Sequence, residues 1–248
     1  MKLQYVTCSD PRENLATDAV LQLAQSAPIV EIAIQAHPSR MSFGMPRNNW
    51  FGKLLTESLY MNPFPNLAVH VNMEWCNDLC QGKIAPEIQN WLSLYHTNGT
   101  PVIRRWQINI HGSKTETFNA DAIAKLLNNF HDNEFIFQYG NTEYDKIQKL
   151  NATGARFSVL YDMSCGTGEL AKSWNSPLFA NHPQGYAGGL SPENINENLG
   201  KIARVAGNRT DIWIDAEGKL KNPVTKKFDI NRAKQYINTA LQWNQRQK

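Results

Sequence analysis

Short runs of β-branched and aromatic residues alternate along this chain with segments whose apolar residues recur at helical spacing. Eight such runs occur, reading LQYVTC, IVEIAIQA, LAVHVNM, VIRRWQINIH, EFIFQY, RFSVLYD, GYAGG and DIWIDA. Between them the apolar positions lie three or four residues apart, as in residues 14–26 and 230–243. The short runs are typical of buried strands, and the spacing between them is typical of amphipathic helices. The pattern therefore predicts eight strand–helix units.

Turn and cap signals separate these units. Asn98-Gly99 precedes the fourth strand, and Gly154 and Gly207 follow predicted helices where a left-handed residue commonly ends a helix. Strands that alternate with helices form right-handed crossovers and a parallel sheet. Eight units in 248 residues match the size and the count of a (β/α)8 barrel.

The alternative architecture is a doubly wound open sheet. Its glycine-rich turn after the first strand is missing here, where the chain reads TCSDPREN. No linker and no shift of composition divides the chain. The sequence therefore predicts an α/β protein with one domain, a single (β/α)8 TIM barrel over residues 1–248.

Composition and charge narrow the range of partners. The formal net charge of +3 is too small, and the basic residues are too scattered, to indicate nucleic-acid binding. No apolar run approaches the roughly 20 residues that span a bilayer, so no membrane partner is expected. The first ten residues lack an apolar signal region, and the four cysteines form no Cys-x-x-Cys pair. We therefore expect a cytoplasmic monomer or homodimer that binds a small molecule.

Histidines and cysteines raise the question of a metal site. His37, His70 and His111 lie on the second, third and fourth strands, but His70 falls in mid-strand. Cys76 and Cys80 are one helical turn apart, whereas a zinc site needs further ligands at matching spacing. The sequence therefore predicts no metal site, with the two cysteines buried and His111 a polar contact in the pocket.

The barrel itself selects the candidate site residues, because its active site is formed by the C-terminal ends of the strands and the loops that follow. In strand order they are Cys8; His37 and Arg40; Asn72 and Glu74; His111; Gln138; Asp162, Gly166 and Gly168; Gly188 and Gly189; and Asp215 and Glu217.

The seventh unit, GYAGGLSPENI, is typical of a phosphate-binding loop. Gly188 and Gly189 would let a ligand approach the backbone N–H groups, and barrels often bind phosphate after strands seven and eight. The alternative is that the two glycines form only a tight turn. We expect a phosphorylated substrate here.

Cys8 and Asp162 offer a thiol and a carboxyl group at the predicted mouth of the barrel. Each has a simpler interpretation, since a cysteine can fill space in the core and an aspartate can cap a loop. Together they suit proton transfer, with one group as base and the other as acid.

These candidates coincide with motifs of a known family. The chain resembles phosphoribosylanthranilate isomerase, the barrel of tryptophan biosynthesis that carries out an Amadori rearrangement. YDMSCGTGELAKSW is similar to the family's strand-six motif, and AGGLSPENI matches its phosphate-loop motif almost residue for residue. Shorter similarities follow in order along most of the chain, in VTCS, HPSRMS, VHVN and NIHG.

The resemblance implies roles for individual residues. Cys8 would be the general base at the sugar C2, and Asp162 the general acid that opens the ribose ring. Arg40 would lie near the anthranilate carboxylate, and Gly188 and Gly189 would hold the phosphate. The other predicted substrate-binding positions are Asn109, His111, Gly166, Gly168, Asp215 and Glu217, which lie at or just after the ends of strands four, six and eight. The resemblance implies no metal and no organic cofactor.

The chain also departs from the family's pattern. Strand one has Val6 and Ser9 in place of a lysine and a glycine, and strand four has Asn109 in place of a glutamine. After strand eight, IDAEGKL replaces a motif of small residues that helps to hold phosphate. An ionised Asp215 about 4 Å from a phosphate would repel it by roughly 4 kcal/mol per unit charge at an effective dielectric of 20.

Three hypotheses follow. The first is an isomerase of phosphoribosylanthranilate or a close aminoglycosyl phosphate. The second is a divergent barrel enzyme that keeps the acid–base pair but accepts a different small substrate, phosphorylated or not. The third is a non-catalytic barrel that binds a ligand or a partner. The motifs favour an isomerase similar to phosphoribosylanthranilate isomerase, with its exact substrate open.

Overall fold

The computed structural model describes residues 1–110, 117–140, 142–164 and 167–247. Eight parallel strands close into a barrel in the order of the sequence, which confirms the predicted (β/α)8 fold. The strands are β1 Leu3–Ser9, β2 Val30–Ala36, β3 Asn66–Val71, β4 Ile103–Ile108, β5 Glu134–Tyr139, β6 Ser158–Asp162, β7 Gln184–Ala187 and β8 Ile212–Ala216.

Helices surround the barrel. They are α1 Thr17–Ala24, α2 Pro38–Met41, α3 Pro46–Ser58, α4 Met73–Cys80, α5 Pro86–Leu92, α6 Ala120–Asn129, α7 Tyr144–Ala152, α8 Ile195–Ala206 and α9 Ile230–Arg246, with a 3₁₀ turn at Gly218–Leu220. Proline occupies the first turn of α2, α3 and α5, where its missing N–H costs nothing. Gly154 and Gly207 have positive φ after α7 and α8, as predicted. None of the helices in the described ranges is long and apolar enough to cross a membrane.

The expected helix after every strand is wrong at one place. Among the described residues 167–183, which lie between β6 and β7, no helix forms. Pro177 and Pro183 interrupt this stretch, and its side chains instead bind the barrel. The indole N–H of Trp174 donates to Asn198 Oδ1 at 3.0 Å, and Tyr186 donates its hydroxyl proton to the Asn175 carbonyl at 2.9 Å.

The strand pleat divides the side chains between two layers. Tyr5, Ile136, Leu160, Ala187 and Trp213 form one apolar cluster, although they come from β1, β5, β6, β7 and β8. Side chains from opposite sides of a barrel can meet only in its interior, so these residues point inward. Their neighbours at odd spacing point outward, against the helices, because successive side chains of a strand face opposite ways.

A charged layer lies at the centre of this interior. The Arg105 guanidinium lies 4.4 Å from the ring centroid of Tyr5 and 4.3 Å from that of Trp213. It also binds Glu31 at 2.9 Å and Glu134 at 3.1 Å. Arg105 and Glu31 are fully buried, so each compensates the charge of the other. This layer closes the barrel below the site described next.

Gly185 gives a direct test of the interior packing. A Cβ atom at this position of β7 would lie 2.2 Å from Trp213 Cε2 and 2.6 Å from Leu160 Cδ1. We therefore expect Gly185→Ala to lower the free energy of unfolding by about 1–3 kcal/mol, measured by urea denaturation. Gly200→Ala is the matched control, because nothing lies within 4 Å of its Cβ and the residue is helical. The control should stabilise the protein by about 1 kcal/mol. Equal effects of the two substitutions would contradict the packing.

Candidate functional site

A cavity of about 640 Å³ opens at the C-terminal ends of the strands. This volume is within the range of small-molecule sites. Eleven ionisable side chains line it: Asp10, Arg12, His37, Arg40, Arg47, His70, Asp162, Asp215, Glu217, Lys219 and Lys221. The two hydroxyl residues Ser164 and Thr167 and five amide side chains also line it, the amides being Gln35, Asn72, Gln107, Asn109 and Gln138.

Asp162 ends β6 and is held as a hydrogen-bond acceptor. Its Oδ2 accepts from Gln138 Nε2 at 2.6 Å. Its Oδ1 accepts from the Ser164 backbone N–H at 3.0 Å and from the Ser164 hydroxyl at 2.7 Å. A Cβ atom at Gly188 would lie 3.0 Å from the same Oδ1, so the absence of a side chain there leaves room beside the carboxylate.

Asp215 lies near the end of β8 and is buried at the floor of the cavity. The Ser9 hydroxyl donates to its Oδ1 at 2.5 Å, and His70 Nε2 lies 3.9 Å from its Oδ2. Burial raises the pKa of Asp215 to about 8, and the negative charges of Glu217, Glu31 and Asp162 add to the rise. The Ser9 hydrogen bond opposes it. Asp215 is therefore largely protonated at neutral pH.

The two carboxyl groups lie at one level of the barrel. Asp162 pairs with Ala187 of β7, and the preceding Tyr186 pairs with Ile214, which precedes Asp215. With two strand spacings between them, their Cα atoms are roughly 9–10 Å apart. The inward side chain of the intervening strand at this level is only the methyl group of Ala187, which leaves the space between the carboxyl groups to a ligand.

His70 is a neutral member of the floor. Burial and, to a smaller extent, the positive charge of Arg105 lower its pKa to about 3, although the charge of Asp10 opposes them. Its Nδ1 lies 3.3 Å from Gln35 Nε2, and its Nε2 faces Asp215. The ring therefore carries a single proton at neutral pH.

A chain of amides crosses the floor from β4 to the loop after β8. Gln107 donates to Asn109 at 2.8 Å, Asn109 to Asn72 at 2.8 Å, and Asn72 to Gln35 at 2.7 Å. Gln35 in turn donates to Glu217 Oε2 at 2.7 Å. Every member lines the cavity, so the chain fixes the hydrogen-bonding surface that a ligand meets.

Three cations surround Asp10 at the side of the mouth formed by the loops after β1, β2 and β8. Arg12 binds its carboxylate at 2.6 Å, Arg47 at 2.7 Å and Lys221 at 3.0 Å. Lys221 also binds Glu217 at 3.0 Å. Side-chain hydrogen bonds from Arg12 and Arg47 and the charges of Lys221 and Arg47 keep the pKa of Asp10 below its usual value, although burial opposes them.

The charge of the whole lining is positive. The five cations Arg12, Arg40, Arg47, Lys219 and Lys221 face the four acids Asp10, Asp162, Asp215 and Glu217. Because Asp215 is protonated at neutral pH, the positive charges of the lining outnumber the negative ones by more than this count of side chains gives. No ion pair joins Arg40 or Lys219 to a carboxylate within the ranges that the structure describes. Such a cavity favours an anionic ligand.

Gly188 and Gly189 line the cavity with φ of 108° and 67°, a conformation that favours glycine. At Gly189 a Cβ atom would also lie 2.4 Å from the Leu170 backbone nitrogen. The close approach of the segment after β6 is therefore sufficient to explain this glycine. A bound phosphate is not needed to account for it.

Cys8 does not reach the cavity, and this corrects the expectation that its thiol faces the mouth. Its neighbours Thr7 and Ser9 point inward, to Glu31 and Asp215, so the pleat turns Cys8 outward. The thiol is fully buried in the apolar layer under the helices. Burial raises its pKa far above the usual range, and the charges of Asp215 and Glu31 raise it further. A thiol in this environment is a poor base.

The other predicted positions divide into three groups. Those that line the cavity are His37, Arg40, Asn72, Asn109, Gln138, Asp162, Gly168, Gly188, Gly189, Asp215 and Glu217. Glu74 does not line it, although the neighbouring Met73 does. His111 and Gly166 lie outside the described residues. Among the described residues, no cluster of three or more His, Cys, Asp or Glu side chains has the arrangement of a metal site.

The expected repulsion between Asp215 and a phosphate is also wrong as stated. It assumed an ionised carboxylate, whereas burial keeps the proton on Asp215 at neutral pH. Ser9, Gln35, Gln107 and Arg47 contribute to the site but are not among the predicted residues, and His70 was set aside as a mid-strand residue. The sequence does contain a pattern that predicts these inward-facing polar residues. Polar residues recur two positions apart at the ends of three strands, in Gln35-Ala36-His37, His70-Val71-Asn72 and Gln107-Ile108-Asn109.

No protein-family model matches the chain, and no curated protein matches its sequence. Solved structures do match its fold. Tryptophan synthase from Mycobacterium tuberculosis aligns with a TM-score of 0.55 and 12% identity, over 96% of this chain and 92% of that chain. The tryptophan synthase A-subunit of Pyrococcus furiosus aligns with a TM-score of 0.53 and 9% identity, over 95% and 98%.

A third match is KDPGal in its native form, with a TM-score of 0.52 and 9% identity over 98% of this chain and all of that chain. At these identities the matches show the fold alone, which is the TIM barrel. The resemblance to phosphoribosylanthranilate isomerase therefore depends on the sequence motifs alone.

The raised pKa of Asp215 predicts how stability depends on pH. The folded state holds the proton up to about pH 8, whereas the unfolded chain releases it near pH 4. The free energy of unfolding should therefore fall as pH rises from about 4 to about 8, and Asp215 should contribute about 1.4 kcal/mol per pH unit.

Asp215→Asn removes this proton but keeps an oxygen that can accept from Ser9. We expect the variant to flatten the dependence between pH 5 and 8, leaving a residual slope from Glu31, whose pKa burial also raises. Denaturant unfolding at several pH values measures it. Asp121→Asn, an exposed residue of α6, is the control and should behave as the unsubstituted protein. A slope in Asp215→Asn as steep as in the unsubstituted protein would contradict the protonated state.

Proposed function

We propose that this barrel is an enzyme that transfers protons on a small anionic substrate, with Asp215 as general acid and Asp162 as general base. The observation that carries the proposal is the pair of carboxyl groups in one cavity, of which one is protonated at neutral pH and the other is held as an acceptor. Two carboxyl groups whose environments differ in this way are a common acid–base arrangement.

The reaction we propose is an Amadori-type isomerisation of an aminoglycosyl phosphate, which the family motifs imply. Asp215 gives its proton to the ring oxygen while the C1–O bond breaks and the nitrogen lone pair forms a C1=N bond. Asp162 then removes the proton from C2, and the electron pair forms an enaminol. Asp215 takes the enol proton as Asp162 returns its proton to C1, which gives the 2-ketose and restores both groups.

This mechanism differs in two roles from the one that the resemblance implies. Asp215 takes part in place of Cys8, whose thiol is separated from the cavity by the strand itself. Asp162 acts as base, because it is the carboxyl group surrounded by donors. The excess of cations around the mouth supports a substrate with phosphate or carboxylate groups.

A second candidate is a barrel enzyme with the same acid–base pair and an unphosphorylated substrate. The contact of Gly189 with Leu170 favours it, because that contact explains the glycine without a phosphate. The two candidates share their chemistry and differ in what the loops after β7 and β8 bind.

Turnover of phosphoribosylanthranilate tests the catalytic pair. We expect Asp162→Asn and Asp215→Asn each to lower kcat by about 10²–10⁴, since that is the usual contribution of a general acid or base. Cys8→Ala is the matched control and should stay within about threefold of the unsubstituted enzyme after correction for its folded fraction. Retained kcat in either aspartate variant, or loss in Cys8→Ala, would overturn the assignment.

Phosphate dependence separates the two candidates. If the substrate phosphate binds the mouth, we expect kcat/KM to fall at least tenfold when it is removed from the substrate. Lys219→Gln should then lower kcat/KM for the phosphorylated substrate and leave kcat/KM for the unphosphorylated one unchanged, because Lys219 lines the cavity. Lys53→Gln, an exposed residue of α3 far from the lining, is the charge-matched control. Equal kcat/KM for both substrates would favour the second candidate.

A further inference from the structure

The amide chain on the cavity floor has a direction, and Glu217 sets it. A carboxylate can only accept, so the Gln35 atom 2.7 Å from Glu217 Oε2 must be the amide nitrogen. The Gln35 oxygen then points the other way and accepts from Asn72 Nδ2 at 2.7 Å. One carboxylate therefore fixes which way the Gln35 amide is turned.

The same direction is imposed independently further along the chain. Asn72 Nδ2 also donates to the backbone carbonyl of His70 at 2.9 Å, and a carbonyl oxygen can only accept. The Asn72 oxygen is therefore left for Asn109, and the Asn109 oxygen for Gln107. The hydrogen bonds to the Glu217 carboxylate and to the His70 carbonyl therefore both require the same orientation of the amides in this chain.

This orientation determines the tautomer of His70. Gln35 Nε2 carries the donor hydrogens and lies 3.3 Å from His70 Nδ1, so Nδ1 must accept. The single proton of the neutral ring is then on Nε2, the nitrogen that faces Asp215 Oδ2 at 3.9 Å. Arg105 and Asp10 are the charged groups that act most strongly on this ring, and they affect its net charge, whereas the tautomer depends on the Gln35 hydrogen bond.

The tautomer matters because of what Asp215 holds. Its Oδ1 accepts from Ser9, which leaves Oδ2 as the oxygen that carries the proton. An Nε2–H group cannot take that proton, whereas the opposite tautomer would present a lone pair on the side of the ring that faces Asp215. The negative charges of Glu217, Glu31 and Asp162 also act on Asp215, and each favours its protonated form.

We propose that Glu217 and Gln35 are positioning residues that hold His70 as the Nε2–H tautomer, so that the proton of Asp215 is directed to the substrate and not to His70. Its catalytic consequence rests on the proposed function, in which Asp215 is the acid. The tautomer of His70 and its control by Glu217 do not depend on that function.

Long-range ¹H–¹⁵N NMR of protein labelled with ¹⁵N-histidine tests the tautomer without any substrate. The His70 signal is assigned from its loss in His70→Gln. We expect a protonated Nε2 and an unprotonated Nδ1 in the unsubstituted protein. A protonated Nδ1 would overturn the proposal.

Two substitutions of Glu217 separate its acceptor role from its charge. Glu217→Gln and Glu217→Leu both remove the charge, but only glutamine keeps an oxygen that can accept from Gln35. We expect Glu217→Gln to retain the tautomer and Glu217→Leu to raise the ratio of Nδ1–H to Nε2–H by roughly fivefold or more. Gln35→Leu should act as Glu217→Leu does. An unchanged ratio in both leucine variants, in well-folded protein, would also overturn the proposal.

Kinetics then test the consequence for proton transfer. We expect Glu217→Leu to lower kcat at least tenfold relative to Glu217→Gln with KM within about threefold, because only proton delivery differs between them. Equal kcat in the two variants would contradict the proposal that the tautomer of His70 directs the Asp215 proton to the substrate. If the unsubstituted protein does not turn over phosphoribosylanthranilate, the proposed function fails, while the NMR result still decides the positioning of His70 by itself.

Discussion

The strand pleat in a closed barrel is the constraint on which this site depends. Within each strand the inward positions are fixed two residues apart, and closure leaves no edge at which a strand could shift its register. In β1 this turns Ser9 toward Asp215 and Cys8 toward the helices. A shift by one residue would exchange the two, giving a thiol in the cavity and a buried aspartate without its hydroxyl partner.

Burial in this geometry changes the protonation of Asp215. Asp215 is fully enclosed beside three other acids, and one hydroxyl is too weak a partner to keep it ionised, so it retains its proton to about pH 8. Asp162 sits at the same level of the barrel but accepts from Gln138 and twice from Ser164. Two carboxyl groups two strands apart thus have different surroundings, since acids lie around Asp215 and hydrogen-bond donors around Asp162.

The alternation of strands and helices was sufficient to predict the barrel, and the strand-end rule found Asp162, Asp215 and Glu217. It failed at Cys8 because the position of a residue near a strand end does not say which face it occupies. Counting back two residues from Asp215 would have selected Trp213 as inward-facing, and counting back two from Asn72 would have selected His70. The protonation of Asp215 could not be predicted, because it arises mainly from burial in the closed barrel, with contributions from the neighbouring Glu217 and from Glu31 and Asp162, which are distant in sequence.

The polar residues that recur two apart at the strand ends have a physical consequence beyond lining the cavity. Amides placed on adjacent strands at one level must hydrogen-bond to one another, and each amide offers a donor at one end and an acceptor at the other. A row of them is therefore bistable until something fixes its direction. Glu217, a carboxylate paired with Lys221, removes the alternative direction, and so a residue outside the strands decides which nitrogen of His70 carries the proton.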